Sequence, residues 1–517
     1  MNLSSRRQFL AEVGQGMLVA SVGPALALDL GITSTAQAAS DVPGTRLTFG
    51  AMEPLVALVE ETPADKLLPL AVQKLQTGAE LRTLVAAAAL ANARALGGHD
   101  YDGYHTFMAL APSYQMAQEL PKDRRALPVL KVLHRNARFI QKAGGCEHEA
   151  LHAVEPASLP TGRSEGHVLQ DATRQADQAK AERILATLTQ GSLPDAYNQL
   201  QLCVQDEVDV HRVVLSWRAW ETLDLTGRDQ ALTLLRQSVR YCVDAERNRI
   251  KQNRPEPAVR ATLTRLLDQY HLMGKKTGNR KGDDAWVEKI CQAIYTSSRE
   301  QAAEAVAAAL AEGTAPTDIG EAISLAANRL VLRDPGRTRA EQQKPVGSVH
   351  GASVGVHASD SANAWRNIAR ISDHRNTVAS LIVAGFHTAG QAGSAAQKPY
   401  PWPEHLEAVK VSDAAALLAE LETAIKGKDQ VRACAVTYRY GELGHPSRPV
   451  FDLLLKFAVS EDGALHAEKY YRTVSEEFAT TRPAFRWRQL VALARVTASE
   501  YGYPAPGYAD ACRLLKV

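Results

Sequence analysis

The chain has 517 residues, which is long enough for several domains or one large helical array. Its hydrophobic fraction of 45% is enough to form a core. Its 59 Lys and Arg residues nearly balance 57 Asp and Glu residues, and the formal charge of +2 gives no general attraction to nucleic acid or to anionic lipid. We therefore expect no nucleic-acid partner. The six cysteines are scattered without a C-x-x-C pair, so a zinc ribbon, a haem c attachment site and a dense disulfide framework lack support.

The N-terminus carries a pattern typical of export. Residues 5–10 read S-R-R-Q-F-L, a mildly apolar stretch follows to about residue 32, and an A-Q-A site stands at 36–38. This pattern resembles twin-arginine signal peptides. The resemblance implies that residues 1–38 are a signal peptide read by the twin-arginine export machinery and cut by a signal peptidase. We therefore expect a periplasmic or extracytoplasmic protein that keeps no stable membrane anchor after cleavage.

Beyond an N-terminal extension at residues 39–64, the sequence favours helices. It is rich in Ala, Leu, Glu, Gln and Arg, and apolar residues return every third or fourth position, whereas sustained alternation is rare. We therefore predict an all-α fold. The clearest predicted helices cover residues 68–96, 177–188, 229–249, 284–312 and 413–425. Segments rich in Pro, Gly and charge at residues 155–166, 273–284, 334–347 and 390–404 are predicted to be loops.

Residues 148–152 read H-E-A-L-H, which resembles the H-E-x-x-H motif of zincin metalloproteases. On an α-helix, His148 and His152 would lie one turn apart as zinc ligands, with Glu149 as the base acting on the metal-bound water. A Gly-Gly pair before the motif and Pro156 after it leave room for only a short helix. A zinc-dependent hydrolase is therefore kept as an alternative hypothesis.

Short patterns around the histidines recur in the same order in two parts of the chain. We interpret them as a diverged internal duplication, with a first helical half at residues 65–270, a basic loop at 271–284, a second half at 285–480 and a C-terminal helical segment at 481–517. The matched patterns are A-N-A-R at 91–94 with A-N-R at 327–329, G-Y-H at 103–105 with G-V-H at 355–357, and H-R-N at 134–136 with H-R-N at 374–376.

If the two halves pack face to face, the repeated histidines converge on one pocket. Imidazoles can transfer protons near neutral pH, and they ligate iron, copper or zinc, so the metal is left open among these three. His211 and His387 are outer candidates. The predicted catalytic histidines are His105, His134, His357 and His374, and the predicted metal ligands are His99, His105, His350 and His357.

The chain also contains the histidine patterns V-H-G at 349–351 and G-V-H-A at 355–358, in addition to its predicted helical character. Together they are similar to the questin oxidase-like family, over about residues 80–390 with gaps. Members of that family are linked to Baeyer–Villiger-type oxidation of aromatic polyketides. The resemblance implies that a histidine-rich helical pocket can host oxidative chemistry, and we assign no catalytic residue from it.

These observations together predict an exported helical enzyme, either an oxidoreductase or another metal-assisted enzyme. It would act on a small organic substrate in a histidine-rich pocket between the two halves, with a bound metal or without any cofactor. Two alternatives stay open. One is the zinc-dependent hydrolase at residues 148–152, and the other is a noncatalytic helical-repeat scaffold that binds its partner at the cell surface.

Overall fold

Helices make up most of the chain in the computed structural model. The structure describes residues 45–99, 101–274, 276–340, 344–349, 351, 353–391 and 398–517. Within these residues there are 23 α-helices and no β-strand, and extended pairing is confined to isolated bridges. The all-α prediction is therefore confirmed. The signal peptide predicted at residues 1–38 lies outside the described residues.

The α-helices are numbered here in chain order. The first eleven are α1 (Glu53–Glu61), α2 (Ala64–Gln76), α3 (Leu81–Leu96), α4 (Tyr101–Glu119), α5 (Leu127–Lys142), α6 (Glu165–Arg174), α7 (Gln178–Leu188), α8 (Leu193–Val204), α9 (Val210–Thr226), α10 (Ala231–Lys251) and α11 (Ala258–Gln269). The remaining twelve are α12 (Asp284–Thr296), α13 (Arg299–Ala311), α14 (Pro316–Arg333), α15 (Val354–Ile371), α16 (His374–Ala389), α17 (Pro403–Glu407), α18 (Ala414–Lys426), α19 (Gln430–Glu442), α20 (Arg448–Ser460), α21 (His466–Thr480), α22 (Trp487–Glu500) and α23 (Tyr508–Leu515).

Capping residues explain where several helices begin. The Asp177 carboxylate accepts a hydrogen bond from the backbone N–H of Lys180, and the Asp413 carboxylate accepts one from Ala416, so α7 and α18 begin where the sequence predicts. The helix predicted at 284–312 is instead two helices. Ser298 forms a capping box with Gln301 and starts α13 as a new element. The helix predicted at 68–96 is likewise interrupted at residues 77–80, between α2 and α3.

Four helices lie at the centre of the molecule and join the two predicted halves. Helix α4 packs against α9 and α21, and α15 packs against the same two helices. Residues 47–517 form one compact unit, so the boundaries predicted near residues 270, 285 and 480 fall inside that unit. Among the described residues, no helix combines the length and the apolar composition needed to cross a bilayer.

The internal duplication stays a prediction. In the first half, the Asn92 side-chain amide donates to the side-chain oxygen Oδ1 of Asn136 at 2.7 Å, which links α3 to α5. At the matching positions of the second half, Asn328 donates to the backbone of α22 and Asn376 donates to the backbone of α8. The repeated asparagines are therefore buried hydrogen-bonding residues in both halves, with different partners.

Candidate four-histidine site

Four histidine rings meet where the central helices α4, α9, α15 and α21 begin. His105 and His211 come from the first half, and His357 and His466 come from the second. The ring centroids are 4.7 Å apart for His105 and His211, 5.5 Å for His211 and His357, 5.3 Å for His357 and His466, and 5.3 Å for His466 and His105. Each ring therefore touches two others, and we call this group the four-histidine site.

Helix capping helps to place these rings. The Asp209 carboxylate caps α9 by accepting from the Arg212 backbone N–H at 2.9 Å, and the Ser353 hydroxyl caps α15. All four histidines stand within about the first turn and a half of their helices. The partial positive charge at a helix N-terminus disfavours a protonated imidazole. The N-termini of four helices converge on this group of rings.

His105 has a defined tautomer. Its Nδ1 lies 2.8 Å from the Tyr101 carbonyl oxygen, which can only accept, so we assign the proton to Nδ1 and the lone pair to Nε2. Burial lowers the pKa of His105 well below its usual value, and the nearby Lys469 and the other histidines lower it further. The ring is 2% exposed, and no described residue offers Nε2 a hydrogen bond. This nitrogen is available as a base or as a metal ligand.

His211 lies beside a carboxylate. Its Nδ1 is 3.7 Å from Oδ1 of Asp209, and the same oxygen accepts a hydrogen bond from the Tyr241 hydroxyl at 2.7 Å. Burial raises the pKa of Asp209, but His211, Tyr241 and a backbone N–H outweigh this effect and hold it well below its usual range. Asp209 is therefore a carboxylate that can stabilise a proton taken up by His211. The His211 Nε2 is buried, and no described residue hydrogen-bonds to it.

His357 and His466 contact each other. The His466 Nδ1 donates to the Gly463 carbonyl oxygen at 3.3 Å, which leaves its Nε2 as an acceptor. That Nε2 lies 3.2 Å from Nε2 of His357, so His357 is assigned as the donor. His466 is fully buried, whereas His357 is only half-buried. The site therefore approaches the surface on the side of His357.

Aromatic rings and a lysine complete the surroundings. The Tyr101 ring lies 4.0 Å from the His105 ring, and the Tyr104 ring lies 5.2 Å from the His211 ring, measured between centroids. Lys469 follows His466 by one turn of α21 and is also buried. Burial lowers the pKa of Lys469 to about 8, although Asp360 and Glu468 act to raise it. The site thus combines four imidazoles, an aromatic wall and a nearby amine.

A preformed metal centre is not apparent in these residues. In the part of the chain that the structure describes, no group of three or more His, Cys, Asp or Glu side chains is arranged to hold a metal ion. His357 and His466 direct their Nε2 atoms at each other. A metal bound here would require at least one of these rings to turn, while the Nε2 atoms of His105 and His211 have no hydrogen-bond partner in the described part of the chain.

The structure brings together only some of the predicted histidines. His105 and His357 lie in the site, as does the outer candidate His211, whereas His350 lies outside the described residues. Three other predicted histidines lie away from this group of rings. His99 pairs with Asp244 on α10, His134 packs beside Gly507 next to α23, and His374 hydrogen-bonds to Thr277 and to the Leu272 carbonyl oxygen.

Sequence reasoning missed His466 and Lys469. His466 belongs to none of the repeated patterns, so its only local signal is D-G-A-L at residues 462–465, a loop typical of a helix start. The outer candidate His387 has a different role. It is buried on α16, where its Nδ1 accepts a hydrogen bond from the Trp365 indole at 3.4 Å. Burial lowers the pKa of His387 to about 4, so it is a neutral core residue.

The H-E-x-x-H segment is not an α-helix, which corrects the helix that the zinc hypothesis needs. A short 3-10 helix, Gly145–His148, ends at the first residue of the motif, and the backbone is extended at Glu149. Gly144 and Gly145 have φ values of +107° and +59°, which separate the motif from α5. The Glu149 carboxylate forms an ion pair with Nε of Arg94 at 3.3 Å. His148 and His152 therefore lack the one-turn spacing of zinc ligands.

Comparisons of the chain with protein-family models, with curated proteins and with solved structures gave no match in any of the three. The geometry of the four-histidine site is therefore the basis for a functional interpretation.

Proposed function

We propose that the protein is an exported oxidoreductase and that the four-histidine site is its active site. The observation that carries this proposal is the pair of buried Nε2 atoms on His105 and His211, neither of which has a hydrogen-bonding partner among the described residues. A buried polar atom left unpaired costs about 1–3 kcal/mol. A substrate or metal that binds these two nitrogens would recover that cost.

The substrate that fits these groups is a small aromatic molecule with an acidic hydroxyl group. The Tyr101 and Tyr104 rings offer an apolar wall, and the neutral His105 Nε2 can accept a hydroxyl proton. His211 can take a second proton beside the Asp209 carboxylate. Oxidation of a hydroquinone to a quinone releases two protons and two electrons. Dioxygen accepts both electrons and both protons and becomes hydrogen peroxide.

A metal-assisted form rests on the same two nitrogens. Neutral imidazoles are ligands for iron, copper and zinc, and a bound redox metal would supply electron transfer. In this form, His105 and His211 would hold the ion, and His357 or His466 would complete the ligand set after its ring turns. Elemental analysis of the protein recovered after native export separates the two forms. Near-stoichiometric metal that is lost in His105→Gln supports the metal-assisted form, and metal-free folded protein contradicts it.

Oxygen uptake tests the oxidase activity. Wild-type protein is mixed with a panel of hydroquinones and catechols, and dioxygen consumption and hydrogen peroxide release are followed together. We expect His105→Gln and His211→Gln to lower the rate by about 100-fold or more, the usual contribution of a general base. His445→Gln is the matched control because His445 is only partly buried and bonds to the Ser412 carbonyl oxygen, outside the four-histidine site. Equal rates in all four proteins would contradict the proposal.

Export is tested separately by cell fractionation. The double substitution Arg6→Lys, Arg7→Lys keeps the charge but removes the arginine pair of the signal pattern. We expect the variant to stay in the cytoplasm as uncleaved precursor, whereas wild type is recovered outside it in shortened form. Substituting the second arginine pair, Arg124→Lys with Arg125→Lys, is the control and should not change the location. Export of the signal variant would contradict this part of the proposal.

A further inference from the structure

A second site lies away from the four-histidine site, in a cavity of about 220 Å³. Its walls come from α6, α11, α16 and the end of α8, so both halves contribute to it. Leu202 and Leu263 supply apolar surface, and three arginines and one aspartate supply charge. The volume is below the 300 Å³ or so at which pockets for drug-sized ligands begin. The cavity therefore suits a small molecule.

The single aspartate of the cavity is already paired. Arg174 makes a two-pronged contact with Asp206, in which Nε donates to Oδ2 and Nη2 donates to Oδ1, each at 2.7 Å. The Gln170 amide donates to the same Oδ1 at 2.8 Å. A bidentate pair of this kind uses most of the acceptor capacity of a carboxylate. Asp206 therefore has little left with which to balance the other two arginines.

Arg375, the arginine of the second H-R-N motif, has no carboxylate partner among the described residues. Its Nη1 donates to the side-chain oxygens of Gln205 at 2.5 Å and of Asn376 at 2.8 Å, and both acceptors are neutral. The nearby Asp373 carboxylate is used as the cap of α16. Burial lowers the pKa of Arg375, and Asp373 and Asp206 do not offset this effect. A cation in this position lacks its counter-charge.

Arg260 adds a second donor. Its Nη2 pairs with Glu246 on α10. Its buried Nη1 lies 3.6 Å from a carboxylate oxygen of the exposed Glu256, which is too far for a hydrogen bond, and it has no hydrogen-bond partner among the described residues. The side chain is only 7% exposed, so bulk water does not replace the missing acceptor. Two guanidinium groups with unused donor capacity thus line one small cavity beside leucine side chains.

We infer that this cavity binds a short-chain organic carboxylate. The planar fork of a guanidinium matches the two oxygens of a carboxylate, and Leu202 and Leu263 offer contact to a short aliphatic tail. The ligand carboxylate supplies the negative charge that Arg375 lacks. This inference is independent of the proposed oxidase, because none of its residues belongs to the four-histidine site.

Isothermal titration of the full chain with butanoate tests the inference, with inorganic phosphate and chloride as separate probes. We expect butanoate to bind wild-type protein and Arg375→Gln to weaken binding at least about tenfold, the effect of losing one charge-assisted hydrogen bond. Arg265→Gln is the matched control. Arg265 lies on α11 next to the cavity-lining Thr264, but its side chain is exposed and contacts Gln269.

A second variant keeps the test valid if Arg375→Gln folds poorly. Thr264 is exposed and lines the cavity, so Thr264→Trp narrows it without removing a charge and should also abolish the binding of butanoate. Absence of butanoate binding to wild type overturns the inference. So does unchanged binding in folded Arg375→Gln. Binding of phosphate in preference to butanoate overturns the assignment to carboxylates.

Discussion

Two buried polar clusters of this protein use their hydrogen-bonding atoms in opposite ways. At Arg94, every guanidinium nitrogen has an acceptor, supplied by Glu53, Glu60, Glu149 and the Leu47 carbonyl oxygen. In the four-histidine site, the Nε2 atoms of His105 and His211 have no partner among the described residues. The Arg94 guanidinium is thus fully paired within the protein, whereas these two imidazole nitrogens are left for a bound ligand to pair.

The contrast shows why the H-E-x-x-H motif is a poor guide to the functional site. H-E-x-x-H is the stronger sequence signal, yet its glutamate belongs to the completed Arg94 cluster. A charged group that is paired inside the protein is costly to leave without its partner, and it is not available for chemistry. The histidines of the four-histidine site come from four separate segments, so no single local pattern identifies all four.

The largest effect is expected at Arg94. Arg94→Met keeps the length of the side chain but leaves Glu60, which is also fully buried, without its cation. Breaking a buried ion pair by removing one partner costs about 3–5 kcal/mol, so the free energy of unfolding should fall by that amount. Urea unfolding measures this change.

The control for Arg94 is an exposed ion pair. Arg439 contacts Glu442 on the surface of α19, with side-chain exposures of 38% and 47%. Arg439→Met should change the free energy of unfolding by less than about 1 kcal/mol. If the free energy of unfolding falls by a similar amount in the two variants, the buried ion pairs of Arg94 are not more important for stability than an exposed pair.

Much of the fold was predictable because it depends on local rules. Periodicity and composition predict the helical class, and Asp177 and Asp413 mark two helix starts correctly. The boundaries inside long helical stretches were not predictable in the same way. The Ser298–Gln301 capping box divides one predicted helix because its hydrogen bonds outweigh the good helix-forming residues around it.

The site was predictable only in part. His105 and His357 were found because they occur in matching G-x-H patterns, and they do lie in one cluster. His134 and His374 occur in equally similar H-R-N patterns but contact other partners. Which side of a helix faces the centre depends on tertiary packing between distant segments. His466 could not be predicted for the same reason.

A smaller effect, which depends on pH, is expected at His387. Its pKa is about 4 in the folded protein and about 6.5 when unfolded, so folding favours the neutral ring. Its stabilising contribution is complete above pH 6.5 and is lost as the pH falls toward 4, by up to about 3 kcal/mol. Arg299 acts in the same direction and Asp209 opposes it. The indole hydrogen bond from Trp365 also requires an unprotonated Nδ1.

Urea unfolding of His387→Gln at pH 7 and pH 4.5 measures this contribution. The variant should lose less stability on acidification than wild type does, because it has no ring to protonate at this position. His445→Gln is the control, because it removes a partly buried histidine elsewhere and keeps His387. It should lose as much stability on acidification as wild type does. If His387→Gln and wild type lose equal stability between the two pH values, His387 is not the neutral core residue inferred here.

The smallest effect is expected at His105, although it is one of the most buried polar residues. His105→Leu loses the hydrogen bond to the Tyr101 carbonyl oxygen, about 1 kcal/mol, but it also removes the unpaired Nε2. These effects oppose each other, so the free energy of unfolding should change by less than about 1 kcal/mol.

Asn136→Leu is the comparison, because both its amide nitrogen and its amide oxygen are hydrogen-bonded, and it should cost about 2 kcal/mol. A loss above about 3 kcal/mol in His105→Leu would place His105 with the Arg94 cluster, as a residue kept for stability. A small loss together with a large loss of oxidase activity is the combination expected of a residue kept for chemistry.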